Sequence, residues 1–260
     1  MNTDLKVAMI QTDLVWENPT ENRRVLNDKL DAISTDIDLI ILPEMFTSGF
    51  TMNPETVAET MDGKTIVWLK EKATAKQAAI MGSLVVKEGN HYYNRMVCVE
   101  PSGKITTYNK RHSFTLAGEH KVYTAGTEKV IFEYKGWKIC PLVCYDLRFP
   151  VWARNTEDYD LLIYVANWPK VRIDAWDALL KARAIENMTY CIGVNRVGLD
   201  GNDYEYSGHS AAYDVLGKRL NHLSENTDTI EIVLLEKSTI KKYREKLNFL
   251  NDRDMFSLKG

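Results

Sequence analysis

Three residues have the chemistry for acyl transfer, and each stands at the end of an apolar run. Trp137 to Val143 reads as a buried strand that delivers Cys144 to a sheet edge, with Tyr145 and Asp146 following at once. Loops outside the carboxyl ends of strands hold reactive groups on a rigid frame, so a thiol there is placed as a nucleophile would be. A lone cysteine at a strand end is more often an inert core residue than a nucleophile, so Cys144 needs partners. Glu44 ends the run Asp38-Leu39-Ile40-Ile41-Leu42-Pro43, and Lys110 follows the strand-like run Lys104 to Tyr108. A thiol has a reference pKa of about 8.5; an ammonium beside it lowers that value and a carboxylate can take its proton. Cys144 would then attack a carbonyl, and Glu44 would accept the thiol proton and pass it to the departing amine. Lys110 would stabilise the tetrahedral oxyanion, with the backbone N–H of Tyr145 as a second donor. Taken singly, Glu44 reads as a cap or surface charge and Lys110, beside Arg111, as a solvated turn. The repeated strand-end placement carries the reading.

The elements that must position these groups alternate between strand and helix. Leu5 to Gln11 is a first strand, and Asn18-Pro19-Thr20-Glu21 opens a helix with an N-cap residue, Pro at the first position and Glu at the third. Leu26, Leu30 and Ile33 form its apolar face. Asp38 to Leu42 is apolar on both faces, which suits a central strand. Gly63-Lys64-Thr65 looks like the end of a phosphate-binding loop, but Ala58 stands where that motif needs Gly, and Thr65 more simply begins a helix to about Ala78. Strands follow at Ala79 to Val86, Tyr92 to Val99 and Lys104 to Tyr108, then at Lys129 to Tyr134 and Trp137 to Val143. A short helix near Val151 to Asn155 precedes the strand Leu161 to Ala166. A helix over Ala175 to Met188 carries Leu179, Leu180 and Ala184 on its stripe. Tyr190 to Val194, Ser210 to Tyr213 and Thr229 to Leu235 are strands, and Ser238 caps a last helix to about Leu247. The pattern is that of α/β sheets covered by helices.

The 260 residues, 45% of them hydrophobic, suffice for a sizeable core, and with no linker or repeat they read as one domain over 1–260. A net charge of -3 gives no footprint for nucleic acid or anionic membrane. The start lacks a basic stretch followed by an apolar one, and no run reaches transmembrane length, so a cytoplasmic protein is expected. Cys98, Cys140, Cys144 and Cys191 make neither a disulfide framework nor a Cys-x-x-Cys pair. Cys140 and Cys144, four apart, would share a strand face but lie too far apart to bridge easily. A papain-like enzyme using His112 or His120 as base is an alternative that the nearby Glu and Lys make unnecessary. A catalytically silent binding module is another.

Leu42-Pro43-Glu44-Met45-Phe46, Asn109-Lys110-Arg111-His112, Ala117-Gly118-Glu119 and Cys144-Tyr145-Asp146-Leu147-Arg148-Phe149-Pro150 stand in the order of the signature segments of the nitrilase superfamily of carbon-nitrogen hydrolases. Ala166-Asn167-Trp168-Pro169 and Arg183-Ala184-Ile185-Glu186-Asn187 extend the resemblance over nearly the whole chain. It implies a four-layer α-β-β-α sandwich that dimerises across helices, without cofactor or metal. It also implies a Glu44, Lys110, Cys144 triad, with Glu119 as the auxiliary carboxylate that orients the lysine and the substrate. Arg183 and Glu186, three apart on a helix, read as a structural ion pair near the site or dimer face. Asp146 and Arg148 read as residues that position the turn holding Cys144. Asn167-Trp168-Pro169, Asn195-Arg196-Val197-Gly198, Asp200-Gly201-Asn202 and the closing Lys246 to Asp252 are similar to the omega-amidase branch. Such enzymes release ammonia from the terminal amide of 2-oxo dicarboxylic acid monoamides such as 2-oxoglutaramate and 2-oxosuccinamate. Another small amide, a carbamoyl amine or a nitrile is the runner-up substrate. A substrate carboxylate calls for a cation, for which Arg172 is the candidate, with a solvent-exposed role as its plain alternative. Phe114, Tyr145 and Trp168 are the candidate walls of the pocket, although aromatics are also common in cores.

Overall fold

A computed structural model describes residues 4–33 and 36–258. Strand β1 (Leu5–Gln11) leads to α1 (Pro19–Ala32), where the Asn18 side chain accepts the Glu21 N–H at 3.1 Å, as the capping pattern requires. After β2 (Leu39–Ile41) come the single turn α2 (Pro54–Val57) and α3 (Lys64–Lys76). At the start of α3 the carboxylate of Glu59 accepts both the N–H and the hydroxyl of Thr65, so a residue of the chain itself satisfies this helix end. Three antiparallel strands follow: β3 (Ala79–Glu88), β4 (His91–Val99) and β5 (Ile105–Asn109).

The second half runs β6 (Phe132–Tyr134), β7 (Trp137–Val143), α4 (Pro150–Ala153), β8 (Leu161–Ala166), α5 (Ile173–Asn187) and β9 (Tyr190–Asn195). It continues with β10 (Val197–Leu199), β11 (Glu205–Ser207), β12 (Ala211–Tyr213), β13 (Thr229–Leu235) and α6 (Lys237–Leu247). The sixth strand is shorter than the expected Lys129 to Tyr134. The hairpin of β10 and β11 escapes a period-2 reading because each strand has only three residues. Ser238 is the second residue of α6 and not its cap. Glu236 fixes the helix entry instead, its N–H donating to the Tyr190 hydroxyl at 3.2 Å while that hydroxyl donates to the Glu236 carbonyl.

Besides the β10-β11 hairpin, the described residues form two sheets, with strand orders β13-β1-β2-β3-β4-β5 and β12-β9-β8-β7-β6. Alternation along β1 explains the layering. Leu5, Val7 and Met9 join a core with Leu39, Ile41 and Met81 that is continuous with Ile139, Leu142, Ile163 and Ile192 of the second sheet. Ala8 and Ile10 face the other way and pack with Leu26 and Leu30 of α1 and Ile66, Leu69 and Ala73 of α3. Trp176, Leu180 and Ala184 of α5 cover the second sheet. There Gly193 allows close approach, since a Cβ on it would lie 2.4 Å from Leu180 and 2.6 Å from Trp176. This is the α-β-β-α sandwich. Among the described residues no helix is long and apolar enough to cross a membrane.

Candidate active site

Glu44 and Lys110 come from the first sheet and Cys144 from the second. The first two emerge at one end because β5 is two antiparallel steps from β3, which runs parallel to β2. The chain leaving β2 stays attached to β3: the Leu42 N–H donates to the Met81 carbonyl at 2.7 Å and the Met45 N–H to the Ser83 hydroxyl at 2.9 Å. Lys110 is pinned by its N–H to the Asn94 carbonyl, 3.0 Å, and by its own carbonyl, which accepts the Gly126 N–H at 2.8 Å. Cys144 does not continue the pleat of β7 with Cys140; it opens a tight turn with φ of +43°. Met45, directly after Glu44, has φ of +42°. Backbone in this region is costly for non-glycine residues and is kept where the surroundings enforce it.

Buried Asp146 enforces the Cys144 turn. One of its oxygens accepts the Tyr108 hydroxyl at 2.8 Å and the Val143 N–H at 3.0 Å, and the other faces the His112 N–H at 3.0 Å and ring Nδ1 at 2.7 Å. The Cys144 turn is thereby tied to the segment after β5, as expected of Asp146. His112 is spent in that role and stacks on Phe149 at 3.7 Å, and neither it nor exposed His120 lines the cavity at Cys144. The papain-like alternative therefore has no base in place. Arg183 pairs with Glu186 at 2.9 Å, as expected, and also donates to the Leu147 carbonyl at 2.5 Å, which joins α5 to the same turn.

The charged groups converge. The Lys110 ammonium lies 3.0 Å from Glu44 Oε1 and 3.0 and 2.9 Å from the two oxygens of Glu119. All three side chains are almost fully buried. Burial alone would lower the Lys110 pKa, but the Glu119 and Glu44 carboxylates outweigh it and hold the ammonium above the ordinary lysine value. Burial pushes Glu119 above the usual carboxylate range, with Lys110 opposing. Burial likewise pushes the Cys144 thiol well above its ordinary value; the Glu44 carboxylate adds to this and Lys110 counters it. At neutral pH the resting site therefore holds a neutral thiol beside an ammonium, so attack requires a base at hand. The thiol sulfur lies 4.0 Å from the Asn167 carbonyl, and that residue's N–H donates to Glu44 Oε2 at 2.8 Å.

A cavity of about 560 Å³ opens on Cys144 and Lys110. Phe114, Tyr145, Trp168 and Arg172 all line it. Glu119 stands behind Lys110 and accepts the Phe114 N–H, linking the charged cluster to the aromatic wall. Arg172 lies over the Phe114 ring at 5.2 Å. Arg148 departs from the expected role of positioning the turn: it is exposed, lies 4.9 Å from the Trp168 ring and lines the same cavity. The physical reason is the tight turn, in which Asp146 points inward and Arg148, two residues on, points to solvent. Neither guanidinium makes an ion pair or hydrogen bond among the described residues.

Sequence reasoning missed Asn94, whose amide touches both carboxylates, and Trp16, Phe50 and Tyr206, which line the wall with Asp200, a residue singled out only as part of a branch-like segment. Asn94 carries a faint signal, a polar residue inside an apolar strand. The others come from segments whose meeting no spacing announces. Among the described residues no group of three or more His, Cys, Asp or Glu could hold a metal ion.

The family model for carbon-nitrogen hydrolases matches residues 6–245. The omega-amidase YafV of Escherichia coli is 45% identical over 255 residues, 98% of each chain. The 2-oxoglutaramate amidase of Bacillus subtilis is 35% identical over 219 residues, 82% of this chain and 84% of that one. A crystal structure of a CN-hydrolase superfamily protein from Xanthomonas campestris, with an arsenic adduct in its active site, superimposes with a TM-score of 0.96 at 39% identity over 98% of this chain and 99% of that one. On the sequence match and the shared sandwich alike, the chain belongs to the carbon-nitrogen hydrolase family, the nitrilase superfamily, whose members hydrolyse carbon–nitrogen bonds.

Proposed function

We propose that this protein is an omega-amidase that hydrolyses the terminal amide of 2-oxo dicarboxylic acid monoamides, releasing ammonia and the dicarboxylate. One observation carries the reading: Cys144 and Lys110 share a cavity with Arg148 and Arg172, two guanidinium groups that make no ion pair among the described residues. A site with a nucleophile and unpaired cations suits an amide whose other end is a carboxylate. The cavity volume is in the range of small-molecule sites. The names of the two amidase relatives support the same substrate class.

In the proposed mechanism the Cys144 sulfur attacks the amide carbon while Glu44 takes the thiol proton. The tetrahedral oxyanion is held by the Lys110 ammonium and the Tyr145 N–H. Glu44 returns the proton to the amine, the carbon–nitrogen bond breaks and ammonia leaves the acyl thioester. Water then adds with Glu44 as base, and the acid departs as the thiol regains its proton. Glu119 orients Lys110, while Phe114, Tyr145 and Trp168 wall the acyl chain. Supported by the one continuous core between its sheets, we take residues 1–260 as a single domain. We also propose a cytoplasmic homodimer, which light scattering would test; a monomeric mass would remove the dimer.

Ammonia release from 2-oxoglutaramate and 2-oxosuccinamate, set against glutamine and a simple nitrile, tests the assignment. We expect turnover of the 2-oxo amides alone, its loss in Cys144→Ala, and a KM raised about 10- to 100-fold in Arg172→Met, the size expected for one charged contact. Turnover of neither 2-oxo amide would remove the substrate class.

A further inference from the structure

We infer that Asn94, itself held by Ser83, positions Glu44 so that Oε2 and not Oε1 carries the proton between Cys144 and the departing amine. The inference rests on the roles proposed for Glu44 and Cys144. Glu44 Oε1 receives two donors, Lys110 Nζ at 3.0 Å and Asn94 Nδ2 at 2.7 Å, which fill it. Glu44 Oε2 receives one short bond, from the Asn167 N–H at 2.8 Å, besides a long contact of 3.5 Å from that residue's amide. A lone pair is left there, on the side where the same Asn167 presents its carbonyl to the thiol sulfur.

Asn94 can lie only one way round. The Ser83 hydroxyl accepts the Met45 N–H at 2.9 Å and donates to Asn94 Oδ1, 2.8 Å away, and an amide oxygen turned toward the Glu44 and Glu119 carboxylates instead would be repelled. The amide nitrogen must then face the carboxylates, bonding Glu44 and reaching Glu119 Oε1 at 3.4 Å. Ser83 and Asn94 are both buried, so water does not replace either bond. The chain Met45, Ser83, Asn94, Glu44 thus fixes the direction of the Asn94 donor to Glu44 Oε1. It also adds a neutral donor where Lys110 alone faces two carboxylates.

Asn94→Asp, which keeps the shape but replaces the amide donor with a third carboxyl group, and Ser83→Ala are compared with the wild type. The readouts are Tm, the pH profile of kcat/KM on 2-oxoglutaramate, and the pH profile of Cys144 alkylation by iodoacetamide. Alkylation needs no substrate, so it tests the inference whether or not 2-oxo amides turn over. For Asn94→Asp we expect kcat/KM lower by about 10- to 100-fold. The acid limbs of both profiles should move to higher pH by about one unit, because the buried cluster loses a donor and gains a carboxyl group, both of which disfavour negative charge there. Ser83→Ala should move them the same way by less. Limbs that superimpose on the wild type in a folded Asn94→Asp, even with a lower Tm, would reduce Asn94 to a structural role and overturn the inference. Should Asn94→Asp not fold, unmoved limbs in Ser83→Ala overturn it equally.

Discussion

At the scale of the residue, the site is defined by one cation among groups that burial would otherwise neutralise. Lys110 balances Glu44 and Glu119 at 2.9–3.0 Å, and the Cys144 thiol stays protonated until a base removes its proton. This arrangement has a stability signature. Because the folded state holds the Lys110 ammonium above its ordinary value, its contribution is present below about pH 10.4 and lost as pH rises through the folded value. Lys110→Met leaves two buried carboxylates without their cation, and in Glu119 burial already favours the protonated form. We expect the variant to be destabilised by about 3–5 kcal/mol at about pH 8 and by less at about pH 5, because burial favours protonation of Glu119, which removes one of the two charges as pH falls. Urea unfolding at the two pH values checks this; an equal loss at both would contradict the charge argument.

At the scale of the element, the catalytic groups are set by strand ends and by the turns that leave them. Lys110 is held by β4, through Asn94, and by the return of the chain at Gly126. A Cβ there would lie 2.1 Å from the Asn109 carbonyl oxygen, so any side chain must push the two segments apart. Gly126→Ala should therefore cost about 1–3 kcal/mol and lower kcat by about tenfold or more through a displaced Lys110, with the substrate KM little changed. Thermal unfolding and steady-state kinetics read the two effects separately, and normal kcat in a destabilised protein would show that Lys110 is positioned from elsewhere. Asp146 does the corresponding work for Cys144, binding the turn after β7 to Tyr108 and His112 from the other sheet.

At the scale of the whole molecule, the site exists only because two sheets pack face to face. Glu44, Lys110 and Asn94 belong to one sheet, Cys144 and Asn167 to the other, and the core between them sets their separation. Leu142, two residues before Cys144, is fully buried in that core. Leu142→Ala should cost about 2–5 kcal/mol and loosen the register of thiol and carboxylate, so kcat should fall at temperatures well below the Tm. Activity and circular dichroism along one temperature ramp would check it; loss of activity only at the unfolding midpoint would mean that the sheets hold register without this contact.

Much of this was legible in the chain alone. Strand-end placement of Glu44, Lys110 and Cys144, the Asn18 cap and the alternation of β1 follow from local rules of periodicity and hydrogen bonding, and these need only neighbours in sequence. Arg148 was misread because a turn's direction, not its spacing, decides whether a side chain points inward. Ser238 was misread because a tyrosine from another strand took over the helix end. Asn94 and the loop carrying Trp16 gave almost no signal, since their roles come from atoms far away in sequence. The sequence by itself determined which residues can do chemistry and which elements carry them. Only the tertiary structure decided that Lys110 faces two carboxylates at once, that Asn94 orients one of them, and that two arginines line the same cavity. Those facts are distances between residues far apart in sequence, and packing sets them.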